Sequence, residues 1–380
     1  MRGFFEFFAG GGMARAGLGA NWDCLFANDF DPKKAATYVA NWGGKDLFVG
    51  DVASVVTEQL PGYADLAWAS FPCQDLSLAG DYIGLNGDRS GTFWSFWKLM
   101  KALIAESRGP RSIVLENVYG AITSNGAKDF QAIASAFSGA DYTFGAVVMD
   151  ARQWVPQSRP RLFFVGVRND VSIPAEFRTE ASNEWHPKAL IEAADGMSKS
   201  AKAGWVWWKL PTPAKRNHHF IDIIEDEPVG CDWNSHEETE YLVSMMTPRN
   251  LQKLQNAIST TRAKKSIMVG GVYRRTRNGQ QRAEIRFDNI AGCLRTPSGG
   301  SSRQTVMLIE NGTVRSRLLS PREAARLMGL PEHYILPERY NDAYHVCGDG
   351  VVVPTVRHLA ENLIEPILDR ADAIQMVAAE

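Results

Sequence analysis

The stretch DLAWASFPCQDLSLAG, Asp65–Gly80, decides how this chain folds. Its first five residues are almost wholly apolar, and a short apolar run bounded by turn residues reads as a strand buried on both faces. A cysteine then follows a proline just where the strand must stop. Pro72 holds φ near −65° and pushes Phe71 toward extended backbone, so the thiol of Cys73 is aimed one way from the strand end. A free cysteine is most often a small buried hydrophobe. On a loop at the rim of a sheet, next to backbone N–H groups that stabilise a thiolate, it becomes a candidate nucleophile.

Outward from this strand the pattern repeats. Apolar runs stand at Phe4–Phe8, Cys24–Asn28, Leu47–Val49, Leu66–Ser70, Ile113–Glu116, Phe144–Met149 and Leu162–Val167. Helix-like segments lie between several of them, at Pro32–Trp42, Phe93–Glu106 and Asp129–Phe137. Strands alternating with helices predict a doubly wound α/β domain with a mostly parallel sheet covered on both faces. After Arg168 the rhythm fails, and a stretch with Pro, Trp and charge clusters runs to about Asp288. Trp205, Trp207 and Trp208 in it read as core filling. Ser320-Pro321-Arg322-Glu323 then opens a helix with a Ser cap and Pro at its first position, and Thr355–Asp369 forms another. The expected division is 1–170 for a catalytic domain, 171–290 for a smaller irregular domain, and 291–380 for a C-terminal segment that partly returns to the first.

The totals narrow the class. The chain has 380 residues, 45% of them hydrophobic, with no apolar run near the ~20 residues of a membrane helix. Its start, MRGFFEFF, lacks the layout of a signal peptide, so a soluble, unprocessed intracellular protein is expected. Five scattered cysteines without a Cys-x-x-Cys pair argue against a disulfide framework or a zinc site, and no metal is expected. Net charge is only −2, yet acids crowd Asp222–Glu240 and bases crowd Arg249–Arg303. So lopsided a basic run competes with a merely solvated face as a phosphate-binding surface.

In open α/β sheets ligands sit outside the carboxyl ends of the strands. After the first strand comes FFAGGGMARAG, whose Gly10, Gly11 and Gly12 permit a tight turn before a helix start that favours negative groups. Asn28 and Asp29 follow the second strand, where an acid commonly accepts a ribose. Asp51 follows the third, Cys73 the fourth and Glu116 the fifth. A thiolate, a carboxyl and a ribose-bearing cofactor suit one reaction well. Thiolate addition at carbon 6 of cytosine, with a carboxyl bonded to ring nitrogen 3 and the amino group, makes carbon 5 nucleophilic enough to take a methyl group. A nicotinamide-dependent dehydrogenase would leave Cys73 and Glu116 without a joint task.

These residues resemble the cytosine-5 DNA methyltransferases in order over nearly the whole chain: FFAGGG at Phe7–Gly12, SFPCQDLS at Ser70–Ser77, ENV at Glu116–Val118 and QSRPR at Gln157–Arg161. The resemblance implies a Rossmann-like methyltransferase fold, S-adenosyl-L-methionine as cofactor and a flipped-out cytosine in double-stranded DNA as substrate. It makes Cys73 the nucleophile and Glu116 the base contact, with Arg159 and Arg161 supporting the catalytic loop and the activated ring. Cofactor contacts fall on Phe8, Ala9, Gly10, Gly12, Asp29, Asp51, Pro72, Asp349 and Val351. The stretch after QSRPR becomes a target-recognition domain, with Arg274, Arg275, Arg277, Arg282 and Arg286 the candidate DNA contacts. A residue that fills the gap left by the flipped base is expected in Leu76–Arg89 or in that domain. A cytoplasmic, bacterial or phage-encoded, nucleoid-associated enzyme follows, a monomer on DNA, with a restriction endonuclease as a functional partner or none. Two departures stand out: Glu6 replaces a leading Asp, and Gly348-Asp349-Gly350-Val351 replaces Gly-Asn-Ala-Val. The rivals are a transfer-RNA cytosine methyltransferase of the same fold and a catalytically silent DNA-binding regulator.

Overall fold

The computed structural model describes residues 1–72, 91–181, 184–277, 279–296 and 303–379. They form two compact units, one of Met1–Asp150, Pro160–Pro213 and Val353–Glu380, the other of Ala151–Arg159 and Ala214–Val352.

The first unit is built on a seven-stranded sheet of β1 (Arg2–Phe7), β2 (Trp22–Asp29), β3 (Leu47–Val49), β4 (Leu66–Ala69), β5 (Ser112–Val118), β6 (Tyr142–Asp150) and β7 (Pro160–Arg168), in the order β3-β2-β1-β4-β5-β7-β6. The first five in that order run parallel, and β7 is antiparallel to both its neighbours. Alternate residues serve opposite faces. Phe5, Phe7, Ala67, Ala69, Ile113 and Leu115 share one core with Phe93, Phe96 and Trp97 of a helix, while Phe4, Trp68, Val114 and Phe163 are buried on the other face. Burial on both sides is why these strands read as unbroken apolar runs. The helices of this unit's first part are α1 (Met13–Leu18), α2 (Pro32–Trp42), α3 (Thr92–Ala105) and α4 (Lys128–Ser138). Asp31 caps α2 by accepting from Lys33 N, and Pro32 stands at its first position.

The first unit continues past the expected boundary at 170, through β8 (Arg178–Thr179), α5 (Lys188–Asp195), α6 (Lys199–Ala203) and β9 (Trp207–Trp208), to Pro213. The reason is packing. Leu190, Ala193, Met197 and Ala201 enter the main core, Trp205 and Trp207 pack against it, and the buried Trp208 donates Nε1–H to Val165 O at 3.1 Å.

The second unit contains α7 (His236–Ser244), α8 (Pro248–Lys264), β10 (Ile267–Arg277), β11 (Gln280–Arg286), β12 (Thr305–Glu310), β13 (Thr313–Leu318), α9 (Pro321–Leu327) and α10 (Tyr340–Asp349). It is ordered where an irregular domain was expected. An antiparallel sheet, β11-β10-β12-β13, shares a core with Leu242, Leu254 and Ala257 of the two leading helices and with Met246 between them. Only one face of this sheet joins that core, so in β11 Ala283 and Ile285 alternate with Arg282, Glu284 and Arg286, and charge masks the strand period. Ser320 and Glu323 cap the start of α9 reciprocally.

The chain then rejoins the first unit with α11 (Val353–Leu359), a π-helical turn (Ala360–Ile364) and α12 (Glu365–Ala379). The approach of α11 to α1 is so close that a Cβ on Gly17 would stand 2.4 Å from Val356 Cβ. No helix among the described residues is long and apolar enough to cross a membrane.

Candidate active site

At the end of β1 the chain turns through three positive φ angles, Phe8 at 58°, Gly10 at 57° and Gly12 at 77°. Glycine is required at Gly12 twice over, because a Cβ there would also lie 2.3 Å from Trp42 Nε1. The front of the turn is open: a Cβ on Gly10 would meet no atom within 4 Å. Asp29 braces the turn, its Oδ2 accepting from Gly10 N at 2.7 Å and its Oδ1 from Asp31 N at 2.8 Å. Burial pushes the Asp29 carboxyl above its usual range despite those bonds. Each oxygen keeps a second lone-pair site, which leaves capacity for ligand hydroxyls. Asp51 is exposed, and its Oδ1 caps the turn that follows by accepting from Ala53 N at 2.9 Å.

The start of α1 is not the open anion seat that the glycine-rich turn led us to expect. Glu6, on β1, reaches under it and accepts from Arg15 N at 3.3 Å through Oε1. Glu6 is 1% exposed, and its Oε2 is buried without a hydrogen-bond partner among the described residues. Burial pushes this carboxyl up to about 8, against the opposing pull of the Arg15 N–H and guanidinium.

Between β4 and β5 the register sets Ala69 beside Leu115, so both strands finish at the same edge. Asn117 Nδ2 donates to Phe71 O at 3.0 Å, and Ser70 N donates to Phe7 O at 3.3 Å. The buried Phe71 ring packs on Phe93 with centroids 5.4 Å apart. These contacts fix the chain up to the exposed Pro72. Cys73 and the segment Leu76–Arg89 lie outside the described residues. Glu116, two residues before the end of β5, is 6% exposed, and Arg161 Nε stands 3.1 Å from its Oε1. The antiparallel pairing of β7 with β5, which sets Arg161 opposite Val118, delivers that guanidinium.

Arg159 does something else. It belongs to the second unit, is 1% exposed, and donates to Leu294 O at 2.9 Å, Gly348 O at 2.7 Å and Gly350 O at 2.8 Å. A cation at the C-terminal carbonyls of α10 is favoured by the helix dipole. The two arginines expected to work together are thus divided: Arg161 meets a carboxylate, and Arg159 clasps the backbone of 348–350. In that clasped segment Asp349 is exposed and Val351 buried.

The candidate DNA arginines sort by register. Arg275 stands opposite Arg282 and Arg286 opposite Gly271, which puts those three on one face of the β10–β11 ribbon. Arg274 stands opposite Ala283, on the other face. Glu284 lies 3.6 Å from Arg275, and Asp288 accepts from Arg286 Nε at 2.8 Å. Like charges directly opposite each other destabilise a ladder unless an anion lies across them.

Sequence reading missed Asn117 as a tie, Phe30, and the group Arg15, Tyr38 and Trp42. Phe30, 73% exposed beside Asp29, carried a signal in being an aromatic next to the acid of a strand end. The others act through contacts distant in sequence and carried none.

Comparison with known proteins agrees with this geometry. The family model of C-5 cytosine-specific DNA methylases matches residues 3–365. The type II methyltransferase M.HhaI of Haemophilus parahaemolyticus is 25% identical over 362 residues, 95% of this chain and 93% of its own length. M.NlaX of Neisseria lactamica, also a type II methyltransferase, is 26% identical over 362 residues, 94% of this chain and 95% of its own. The solved structure of S. pombe Dnmt2 methyltransferase shares the fold with a TM-score of 0.59 at 16% identity, covering 97% of this chain and 99% of that one.

Proposed function

The chain belongs to the C-5 cytosine-specific DNA methylase family, and from that premise we propose how its own residues methylate DNA. It is an enzyme, a DNA cytosine-5 methyltransferase. The cofactor is S-adenosyl-L-methionine, which supplies an electrophilic methyl group on a sulfonium when bound. The open-fronted turn Phe8–Gly12 fits such a ligand, since its backbone is exposed to approach only where glycine leaves room. Asp29 accepts the ribose hydroxyls, Phe30 covers the adenine ring, and Asp51 faces the adenine amino group. Asp349 and Val351 belong to the second unit, and their assignment to the cofactor rests on the resemblance alone.

Cys73 attacks carbon 6 of the extruded cytosine as a thiolate, forming the S–C bond while the ring's electron pair moves toward carbon 5 and nitrogen 3. Glu116 accepts from the 4-amino group and supplies the proton shared with nitrogen 3. Arg161, bonded to Glu116, keeps that carboxyl aimed. Once carbon 5 carries the methyl group, loss of its proton drives the S–C electron pair back onto Cys73 and frees the product. The observation that carries this reading is the bond from Asn117 to Phe71 O, 3.0 Å long, which ties the residue after Glu116 to the strand end that launches Cys73.

Arg275, Arg277, Arg282 and Arg286 supply phosphate or guanine contacts, and Arg274 joins them. The basic face favours duplex DNA over transfer RNA. The type II names of the relatives favour a modification enzyme paired with a restriction endonuclease. Bisulfite sequencing of DNA from cells expressing the protein tests the whole scheme. Wild type should protect cytosine in one sequence context, and Cys73→Ala should protect none while the purified variant still binds the cofactor. Turnover by Cys73→Ala would overturn the mechanism.

A further inference from the structure

Three consecutive glycines make the turn cheap to bend and costly to hold still, since glycine loses more conformational freedom on ordering than any other residue. A turn of this kind binds well only if something orders it beforehand. The bracing comes from behind. Trp42, the last residue of α2, donates Nε1–H to Gly11 O at 3.0 Å, and its ring fills the space that a Cβ on Gly12 would need. The Arg15 guanidinium lies 5.2 Å from the centre of the Trp42 ring and 5.8 Å from that of Tyr38. Arg15 is held in turn by Nη1, which donates to Tyr38 Oη at 2.8 Å, and by its own N–H on Glu6. These side chains pack behind the turn, whereas the Gly10 side opens outward.

We propose that Trp42 is a positioning residue for the cofactor, its indole N–H setting the Gly11 peptide so that the turn meets the ligand already ordered. Arg15 holds the indole in place. The inference rests on reading this turn as the S-adenosylmethionine seat, and it adds a residue that touches neither ligand nor base.

Calorimetric titration of S-adenosylmethionine into the full-length protein without DNA tests it, alongside steady-state rates. Trp42→Phe keeps an aromatic ring and deletes the donor, and the loss of one hydrogen bond should weaken cofactor binding about fivefold. Its kcat at saturating cofactor should stay within about twofold of wild type. Arg15→Lys, which loses the flat cation over the indole, should weaken binding by a smaller factor. Trp22→Phe is the control. It deletes an indole donor of the same kind, to Glu365 Oε1 at 2.7 Å, at the far end of β2, ~23 Å along the strand from Asp29. It should lower the melting temperature without changing cofactor affinity. Equal affinities for wild type, Trp42→Phe and Trp22→Phe would overturn the proposal. So would equal losses in both variants, or a fall in kcat with affinity intact. A wild type that fails to bind S-adenosylmethionine would instead remove the cofactor reading itself, before any variant is compared.

Discussion

The two ends of the main sheet handle charge in opposite ways. At the amino end, Arg2 meets Asp369 at 2.5 Å and Asp372 at 2.7 Å, while Arg111 meets Asp65 at 3.0 Å and Asp372 at 2.7 Å. This cluster lines an open cavity of about 650 Å³, and it clasps α12 to the starts of β1 and β5. At the carboxyl end, Glu6 and Asp29 are buried against backbone N–H groups, in a turn held at positive φ. One end is stabilised by its charges, and the other keeps carboxyls where burial disfavours ionisation. The difference teaches that a charged cavity can be structural while the proposed chemistry belongs to an end with few ion pairs.

The two ends should respond oppositely to pH. Glu6 has its folded pKa raised to about 8 from an ordinary 4.5, so its contribution to stability is full below 4.5 and is lost as pH rises toward 8. For Asp372, burial alone would raise the pKa, but hydrogen bonds from Arg2 and Arg111 outweigh it and hold the carboxyl low. Its contribution is present above an ordinary 3.8 and is lost as pH falls through the folded value. Base therefore loosens the carboxyl end, and acid loosens the amino end.

Glu116→Gln should produce the largest change, a fall in kcat on the order of a hundredfold with cofactor affinity and melting temperature nearly unchanged. Methyl incorporation and a thermal melt measure both, and a rate near wild type would erase the catalytic side of the contrast. Arg2→Ala should do the reverse. It breaks the contacts to Asp369 and Asp372, costs about 1–3 kcal/mol and lowers the melting temperature by several degrees. Its kcat should hold, and a loss of rate at unchanged stability would break the division between the ends. The smallest change at neutral pH belongs to Glu6→Gln, which resembles the protonated acid in shape. Melting temperatures across pH 5 to 9 should fall less steeply in this variant than in wild type; parallel curves would mean that Glu6 is not the group that titrates.

Much of the first unit was legible. Strands buried on both faces have no polar side to break their pattern, and the turns that end them need Gly, Pro and Asp for local reasons, so both left marks in the sequence. The second unit was harder. In β11 only Ala283 and Ile285 face the core, and the charged residues between them obscured the alternation. Arg159 and Arg161 looked like one device because they are two residues apart, a spacing that shares one face of a strand, but Arg159 precedes β7 and belongs to the second unit whereas Arg161 lies within β7. One reached the carbonyls of 348–350, and the other reached Glu116.

What the sequence determined by itself was the alternation of strands and helices and the identity of the groups at the strand ends, because local steric and hydrophobic rules act within a few residues. Tertiary structure alone decided which partner each group met: Asn117 with Phe71, Trp42 with Gly11, and Glu6 under the start of α1. Those meetings depend on the order in which parallel strands lie side by side, and strand order follows from the packing of the whole core rather than from any short stretch of chain.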